Sequence, residues 1–235
     1  MPKTKITLAE KIIEIDSLYD QVVDLCENYL CNDDREPDIK IISTEEKIAA
    51  ERDVEDSGEY SDGYIETLSV YREIAERMLD FDTFLMHGSV VGVGDEAFMF
   101  SASSGVGKTT RTVKWLEQIE NSFVVNGDKP LLKVCDDKIL ACGTPWSGKE
   151  HMNTNIIVPL KSIVILERNE KTSIEEISFG DAFLLLFKQT YKPNSPDLMI
   201  KTINLLKKTD GKIKFYKYRM NLENTNMVEL YNAIR

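Results

Sequence analysis

Residues 97–119 combine a short apolar strand, a glycine-containing turn and an amphipathic helix, and this combination constrains the fold most. The turn runs from Ala102 to Gly107 with the sequence ASSGVG, and Lys108 opens the helix. Glycine adopts backbone conformations with positive φ at little cost, so successive backbone N–H groups in such a turn can converge on one anion. The dipole of the following helix adds positive potential at the same place. The stretch therefore predicts an α/β core with an anion site at the turn.

The same turn matches the nucleotide-binding pattern G-x-x-x-x-G-K-[ST], with Ala102 in place of the first glycine. In that pattern the lysine reaches the β- and γ-phosphates and the hydroxyl binds Mg²⁺, roles that fall here on Lys108 and Thr109. The alternative is an ordinary strand-to-helix turn with an incidental lysine, which the flanking elements disfavour. We therefore predict ATP and Mg²⁺ as cofactors. The residues predicted to contact the nucleotide are Ser104, Gly105, Val106, Gly107, Lys108, Thr109 and Thr110.

A carboxylate follows the next buried strand. The apolar run at residues 123–125 ends at the turn NGDKP, which contains Asp128. Nucleotide sites of α/β proteins place a magnesium ligand at the end of such a strand, so Thr109 and Asp128 are the predicted metal ligands. Only 20 residues separate Lys108 from Asp128, which predicts a compact variant of the fold. The alternative is a turn aspartate that precedes a proline.

Two further segments are predicted to reach the same site. Residues 84–91 and 97–101 flank a tight turn and predict an antiparallel hairpin, with His87 on the strand that leads into the glycine turn. Residues 143–150, GTPWSGKE, follow a second predicted hairpin. A tryptophan beside proline and glycine in a loop favours substrate contact over core packing, although a loop pinned by its tryptophan is the alternative. The predicted substrate residues are Trp146, Lys149 and Glu150.

The remaining patterns divide the chain into an acidic N-terminal α+β portion, residues 1–63, and a catalytic domain, residues 64–235. The first portion is predicted to contain two short strands meeting at Ala9 and Glu10, a helix capped by Ser17, a strand at 39–42, a helix from Thr44 and an exposed, mobile loop at 53–63. The second is predicted to contain helices near 64–79, 179–187, 198–206 and 226–234, a hairpin at 131–142, a strand at 160–166 and an edge strand at 213–218.

Charge and hydropathy limit the classes of binding partner that the sequence favours. The net charge is −11, and the first 60 residues hold seven Lys or Arg against 17 Asp or Glu, which disfavours nucleic acid and anionic membranes as partners there. No apolar run approaches the roughly 20 residues that span a bilayer, and the N-terminus lacks a signal-peptide pattern. We expect a soluble, cytoplasmic protein. The four cysteines form no C-x-x-C pair, and with two histidines they predict free thiols rather than a zinc site.

These motifs together resemble the catalytic domain of HPr kinase/phosphorylase and of the small bacterial kinases related to it. The family shares the phosphoenolpyruvate carboxykinase type of nucleotide-binding fold, so the resemblance implies a P-loop core with a mixed sheet, hairpins and flanking helices. It covers about 170 of the 235 residues. The matching pieces are YIETLSVYR, HGSVVGVGDEAFMF, SASSGVGKTTRTVKW, VVNGDKPLL, GTPWSGKE and VPLKSIVILERNE.

The resemblance implies transfer of the γ-phosphate of MgATP to a serine- or threonine-type hydroxyl of a protein, peptide or small molecule. It implies that Lys108 binds phosphate, that Thr109 coordinates the metal, and that His87 and Asp128 belong to the active site. Bifunctional members have two adjacent aspartates where this chain has Gly127 and Asp128. The C-terminal region that those enzymes use for dephosphorylation is not recognisable here.

Two other functions compete with a kinase. A catalytically weak, nucleotide-binding regulatory protein of the same fold is favoured by Gly127 in place of an acidic residue. A decarboxylating carboxykinase needs Mn²⁺ ligands and an arginine-rich pocket, but residues 87–158 contain only Arg111, so this alternative ranks last. The sequence indicates neither the identity of the acceptor nor the oligomeric state.

Overall fold

The computed structural model describes residues 2–54, 60–221 and 226–235. Contacts between residues divide the chain into two compact units, Met1–Asp80 and Phe81–Arg235. The division falls after the helix Asp62–Arg77, which therefore belongs to the first unit, whereas the sequence analysis places it in the catalytic portion. Each unit has its own sheet.

The first unit contains a three-stranded sheet in the order β1-β2-β3. Strands β1 (Lys3–Leu8) and β2 (Lys11–Asp16) are antiparallel, and β3 (Ile39–Ile42) pairs with β2 in parallel. The turn between the first two strands consists of Ala9 and Glu10, whose φ angles are 47° and 67°. Both predicted strands and their meeting point are confirmed. The helices of this unit are α1 (Gln21–Leu25), α2 (Glu45–Val54) and α3 (Asp62–Arg77), with 3-10 turns at Glu27–Tyr29 and Met78–Phe81.

The prediction that a helix begins at Ser17 is wrong, because α1 begins only at Gln21. The backbone N–H groups of Leu18 and Tyr19 donate to the carboxylate of Glu66, at 2.6 Å and 2.9 Å. The Glu66 side chain is fully buried, and a buried carboxylate needs such partners. These hydrogen bonds fix the backbone of residues 18 and 19 ahead of α1.

The exposed loop predicted for residues 53–63 is shorter than expected. Helix α2 continues through Val54, and α3 begins at Asp62 after Ser61, whose hydroxyl oxygen accepts a hydrogen bond from the N–H of Tyr64 at 3.2 Å. Residues 55–59, the centre of the predicted loop, lie outside the described residues.

The second unit is built on a nine-stranded mixed sheet, which confirms the α/β class in its coarse form. Seven strands follow the order β4-β8-β9-β10-β6-β5-β7, and β12 pairs with both β10 and β11. The strands are β4 (Thr83–Leu85), β5 (Ser89–Val93), β6 (Glu96–Ser101), β7 (Ser122–Asn126), β8 (Leu131–Val134), β9 (Ile139–Cys142), β10 (Ile157–Arg168), β11 (Ser173–Ile177) and β12 (Lys214–Met220). The predicted hairpins β5-β6 and β8-β9 are confirmed.

Strand β12 is not the predicted edge strand, since it lies between β10 and β11. Its alternating basic residues face carboxylates on the neighbouring strands. The Nζ of Lys217 lies 3.6 Å from Glu167, and Arg219 lies 2.9 Å from Glu175. The alternation of basic and apolar residues therefore reflects one charged face of an interior strand rather than an open edge.

Four helices flank this sheet: α4 (Lys108–Gln118), α5 (Phe179–Gln189), α6 (Pro196–Lys207) and α7 (Met227–Ile234). The sequence predicts all four. Ser178 and Asn226 cap α5 and α7, because their side-chain oxygens accept from backbone N–H groups at 3.1 Å. No helix in the described ranges has the length and apolarity needed to cross a membrane.

Helix α4 is anchored on the sheet by Trp115, which is fully buried. Its ring lies 5.6 Å from that of Phe98 and 5.5 Å from that of Phe100, both on β6, and 5.4 Å from that of Tyr231 on α7. Aromatic clusters of this kind stabilise by area burial and by their edge-to-face geometry. The segment between β6 and α4 is thereby fixed at both ends.

Candidate functional site

The glycine loop, residues 102–107, connects β6 to α4. Gly105 and Gly107 have φ angles of 77° and 118°, a left-handed region that strains residues with a Cβ. Helix α4 begins directly afterwards, and the N–H of Arg111 donates to the carbonyl of Gly107 at 3.1 Å. The loop amides therefore sit at the positive end of the α4 dipole, an arrangement that binds anions.

Lys108 is buried and folds back over this loop. Its side chain is 9% exposed, and its Nζ donates to the carbonyl of Ala102 at 2.9 Å. Burial lowers the pKa of Lys108, while the charge of Asp128 opposes that shift. An ammonium has three donors, so phosphate oxygens offer it stronger, charge-assisted partners than one carbonyl.

The other predicted nucleotide contacts are accessible. Ser104, Gly105, Thr109 and Thr110 are exposed, and the space where a Gly105 Cβ would lie is open. Val106 is half-buried and packs against the core cluster beneath α4. The loop is thus tethered to the core at Ala102 and Val106, and its exposed residues 103–105 are open to ligands.

The Asp128 turn, residues 126–129, lies at the same end of the sheet as the glycine loop. Asn126 is fully buried, and its Nδ2 donates to the carbonyl and hydroxyl oxygens of Thr144, at 2.9 Å and 3.0 Å. Its Oδ1 accepts from the backbone N–H groups of Asp128 and Lys129, at 2.8 Å and 2.7 Å. This Asx turn fixes the backbone that carries the Asp128 carboxylate.

The Asp128 carboxylate has a partner on each oxygen. Its Oδ1 lies 3.0 Å from His87 Nε2, and its Oδ2 accepts from Lys129 Nζ. Burial by itself raises the pKa of Asp128, but the hydrogen bond with His87 and the charge of Lys129 outweigh it and bring the pKa to about 2. Asp128 is therefore a carboxylate throughout the neutral range.

Contrary to the prediction, His87 does not lie on a strand. It lies in the segment between the end of β4 and the start of β5. Its backbone N–H donates to the carbonyl of Gln189 at 2.7 Å, and its Nδ1 lies 3.1 Å from Gln189 Oε1. The next residue, Gly88, donates its N–H to the carbonyl of Asp128 at 2.8 Å. His87 is thus held between the C-terminal end of α5 and the Asp128 turn.

The tryptophan loop, residues 143–150, packs against the Asp128 turn. The prediction that Trp146 lies outside the core is wrong, since the residue is only 7% exposed and its carbonyl accepts from Asn126 Nδ2 at 3.4 Å. Gly148 lies directly on Asp128: an added Cβ would be 3.2 Å from the Cβ of Asp128. Lys149 and Glu150 are exposed beside this contact. Their role toward a substrate stays a prediction.

Gly127 occupies a position with little room for a side chain. An added Cβ would lie 3.2 Å and 3.3 Å from the carbonyl oxygens of Ser147 and Met152. The Gly127 N–H also donates to the Met152 carbonyl at 2.8 Å. A second acidic side chain next to Asp128 would force these backbones apart, which accounts for the glycine here.

The residues present fit Mg²⁺ as a ligand shared with phosphate. Among residues 2–54, 60–221 and 226–235, no group of three His, Cys, Asp or Glu side chains could hold a metal ion alone. Magnesium, however, is commonly held by one or two carboxylates together with substrate phosphates and water. Thr109 offers an exposed hydroxyl and Asp128 an ionised carboxylate, provided that Lys129 moves aside.

A cavity of about 400 Å³, here called the side pocket, opens beside the glycine loop. The end of β10 forms one wall, where Arg168 Nη2 donates to the carbonyl of Gly105, and α5 forms another. Its lining includes Ala102, Ser103, Arg168, Leu185, Lys188 and Gln189.

Three residues of this region are missing from the sequence-based predictions: Asn126, Arg168 and Gln189. The dipeptide Asn126-Gly127 marks a turn, so its signal was present in the sequence. Arg168 is recognisable only as the end of an apolar strand. Gln189 carries no sequence signal, because its contact with His87 joins residues 102 positions apart.

Comparison with solved structures suggests a distant relationship of fold. No protein-family model matches the chain, and no curated protein matches it. Among solved structures, the chain is similar to the Hpr(Ser) kinase/phosphatase from Coxiella burnetii, with 10% sequence identity and a TM-score of 0.38. The match covers 64% of this chain and 87% of the other. At this level the similarity carries no inference about activity.

Proposed function

We propose that this protein is an ATP-dependent phosphotransferase that moves the γ-phosphate to a hydroxyl acceptor. The observation that carries the proposal is the position of Lys108, whose buried ammonium rests on the glycine loop within electrostatic reach of the Asp128 carboxylate. A cation, a set of anion-binding amides and a carboxylate thus meet at one end of the sheet. Phosphoryl transfer depends mainly on such positioning and charge neutralisation.

Each residue has a role in this chemistry. The loop amides and Lys108 would hold the phosphates and neutralise charge that develops on the transferred group. Thr109 and Asp128 would hold Mg²⁺, which supplies further neutralisation when bound. With a pKa of about 2, Asp128 is a weak proton acceptor, so orientation and charge are its fitting tasks. His87 would fix the carboxylate through Nε2.

A second candidate is a nucleotide-binding regulatory protein with weak catalysis. It is favoured by the observation that both oxygens of Asp128 already have partners and that a second carboxylate at position 127 would press on the carbonyls of Ser147 and Met152. Such a protein would bind MgATP and keep its nucleotide-bound conformation, because it turns the nucleotide over only weakly.

Two measurements distinguish these functions: titration of the protein with MgATP, and an assay for transfer of labelled γ-phosphate. The phosphotransferase requires MgATP binding together with transfer to a hydroxyl, or slow hydrolysis in which water replaces the acceptor. The regulatory protein requires MgATP binding with transfer and hydrolysis too slow for repeated turnover. Absence of nucleotide binding by the folded wild-type protein would contradict both.

A further inference from the structure

The side pocket adjoins the γ-phosphate end of the glycine loop. The lysine of such a loop reaches the β- and γ-phosphates, and Lys108 Nζ lies 2.9 Å from the carbonyl of Ala102. Ala102 and Ser103 line the side pocket, so the pocket opens next to the place that Lys108 marks. A ligand there would meet the terminal phosphate of a nucleotide rather than its base.

The opposite wall of the side pocket is coupled to the Asp128 turn. Gln189 lines the pocket and holds His87 through both its backbone carbonyl and its Oε1, at 2.7 Å and 3.1 Å. His87 in turn lies 3.0 Å from the carboxylate of Asp128. The pocket therefore has the glycine loop in one wall, and in another it has Gln189, which connects it through His87 to Asp128.

The lining of the pocket selects for charge and size. Leu185 contributes apolar surface, and Arg168 and Lys188 bring two cations to the rim. The single carboxylate, Glu167, lies within 4 Å of Lys217 and Arg219, which offset its charge. Lys188 has no ion-pair partner among the residues that the structure describes.

We infer that the side pocket is the acceptor site and takes a small, hydroxyl-bearing group that also carries a negative charge. This inference rests on the proposed phosphotransferase. The volume of the side pocket, about 400 Å³, lies in the lower part of the roughly 300–1,000 Å³ range of small-ligand sites. In the reaction, the hydroxyl oxygen bonds to the γ-phosphorus, the bond from that phosphorus to the bridging oxygen breaks, ADP leaves with the electron pair, and the hydroxyl proton passes to solvent.

Two conjugates probe the pocket without knowledge of the natural acceptor. In each, the γ-phosphate of ATP is esterified to a hydroxyl compound, either 3-hydroxypropanoate or the uncharged 3-hydroxypropanamide. Calorimetric titrations of the protein in the presence of Mg²⁺ compare the affinities of the two conjugates with the affinity of ATP. The wild-type protein should bind the propanoate conjugate about tenfold more tightly than ATP. It should also bind it about threefold more tightly than the amide conjugate, as expected for one partly exposed ion pair.

Leu185→Trp fills the pocket and should remove the tenfold gain while leaving the affinity for ATP unchanged. Leu184→Trp is the matched control, since Leu184 is the adjacent residue on α5 but is 66% exposed. Lys188→Met should abolish the preference for the carboxylate, and Lys207→Met, an exposed lysine on α6, should preserve it. Because Lys188 is exposed, its replacement tests the pocket even where a tryptophan at 185 disturbs folding.

Three outcomes overturn the inference. Conjugates that bind no more tightly than ATP would place the acceptor elsewhere. Equal losses for ATP and conjugate in Leu185→Trp would assign the pocket to the nucleotide, and equal affinities of the wild-type protein for the two conjugates would remove the charge selection. A wild-type protein that binds neither ATP nor conjugate would contradict the proposed function itself, a result distinct from the other three.

Discussion

The glycine loop and the Asp128 turn lie at the same end of one sheet, yet they are held in opposite ways. The glycine loop has exposed residues along most of its length, and its main internal contact is a lysine resting on a carbonyl. The Asp128 turn is braced by the buried side chain of Asn126 and covered by the tryptophan loop. The first segment is suited to reorganise around an anion, and the second to keep one carboxylate in place.

This difference separates effects on function from effects on stability. Residues of the glycine loop should matter for ligand binding and little for the free energy of unfolding. Residues that brace the Asp128 turn should matter for both. The following predictions test that separation, beginning with the largest expected effect.

Lys108→Ala should lower nucleotide-dependent turnover by about a hundredfold to a thousandfold, because it removes a cation aimed at developing charge. The melting temperature should change little, since Lys108 Nζ makes one hydrogen bond to a loop carbonyl. Turnover, MgATP affinity and thermal melting measure the two effects. Lys114→Ala, on an exposed face of the same helix, is the control. Unchanged turnover in a folded Lys108→Ala protein would reject the phosphate-binding role of the loop.

Asp128→Asn should lower turnover by about a hundredfold while the fold persists, because the amide keeps the shape of the side chain but loses its charge. The rate should be measured at saturating Mg²⁺, so that weaker metal binding does not hide the result. A rate near that of the wild type would reduce Asp128 to a turn residue. The neighbouring Asp136→Asn, in the turn between β8 and β9, controls for the loss of one negative charge.

Asn126→Ala should reduce the free energy of unfolding by about 2–4 kcal/mol, because it leaves buried donors and acceptors of the Asp128 turn without partners. Turnover should fall with it, since the carboxylate loses its fixed backbone. Denaturant unfolding and transfer assays below the melting temperature measure both. If stability falls while turnover per folded molecule holds, the brace serves the fold alone.

The Asp128 carboxylate should also make the stability of the protein depend on pH in the acid range. Its pKa is about 2 in the folded protein, against about 3.9 in an unfolded chain, so the folded state favours the charged form. That contribution, about 2 kcal/mol, is complete above pH 4 and is lost as the pH falls from 4 to 2. Denaturation midpoints over this range should be less dependent on pH in Asp128→Asn. Identical profiles for the two proteins would show that the carboxylate is not stabilised by folding.

Lys149→Ala should have the smallest effect, a reduction of transfer by a few-fold with unchanged MgATP affinity. Lys149 is exposed and stands one residue after Gly148, which contacts Asp128. Equal losses of transfer and affinity would place the lysine on the nucleotide. Gly148→Ala should reduce transfer more than Lys149→Ala does, because Gly148 has a φ of 78° and a Cβ there would crowd Asp128.

Local patterns predicted much of the fold. The glycines of the glycine loop and the hairpin turns each leave a signal within a few residues. The helix predicted from Ser17 begins only at Gln21, and the backbone ahead of it contacts Glu66, far along the chain. β12 was misassigned for a similar reason, since its charged face is completed by residues on distant strands.

The residues of the candidate site also divide into those with a local sequence signal and those without one. Lys108, Asp128 and the loop residues were singled out because phosphate chemistry dictates their order along the chain, and their roles stay predictions. Gln189 was missed because its hydrogen bond to His87 depends on where α5 ends in space. The burial of Trp146 was not predicted, and its backbone carbonyl contacts Asn126, 20 positions away in the chain. Short-range spacing therefore predicts the order of a loop motif along the chain better than it predicts the contacts that support the motif in space.

The interior position of β12 has a consequence for biogenesis. Tyr218 and Met220 of this strand belong to the core cluster that also contains Phe98, Phe100 and Trp115 beneath the glycine loop. Strand β10 pairs in parallel with the earlier β6, but its second parallel neighbour is translated about 50 residues later, since Ser162 pairs with Lys214. Non-local parallel pairing of this kind is slow to form. On the ribosome, the core beneath the glycine loop is therefore expected to stay unfinished, with apolar surface open to chaperones, until β12 has emerged and docked.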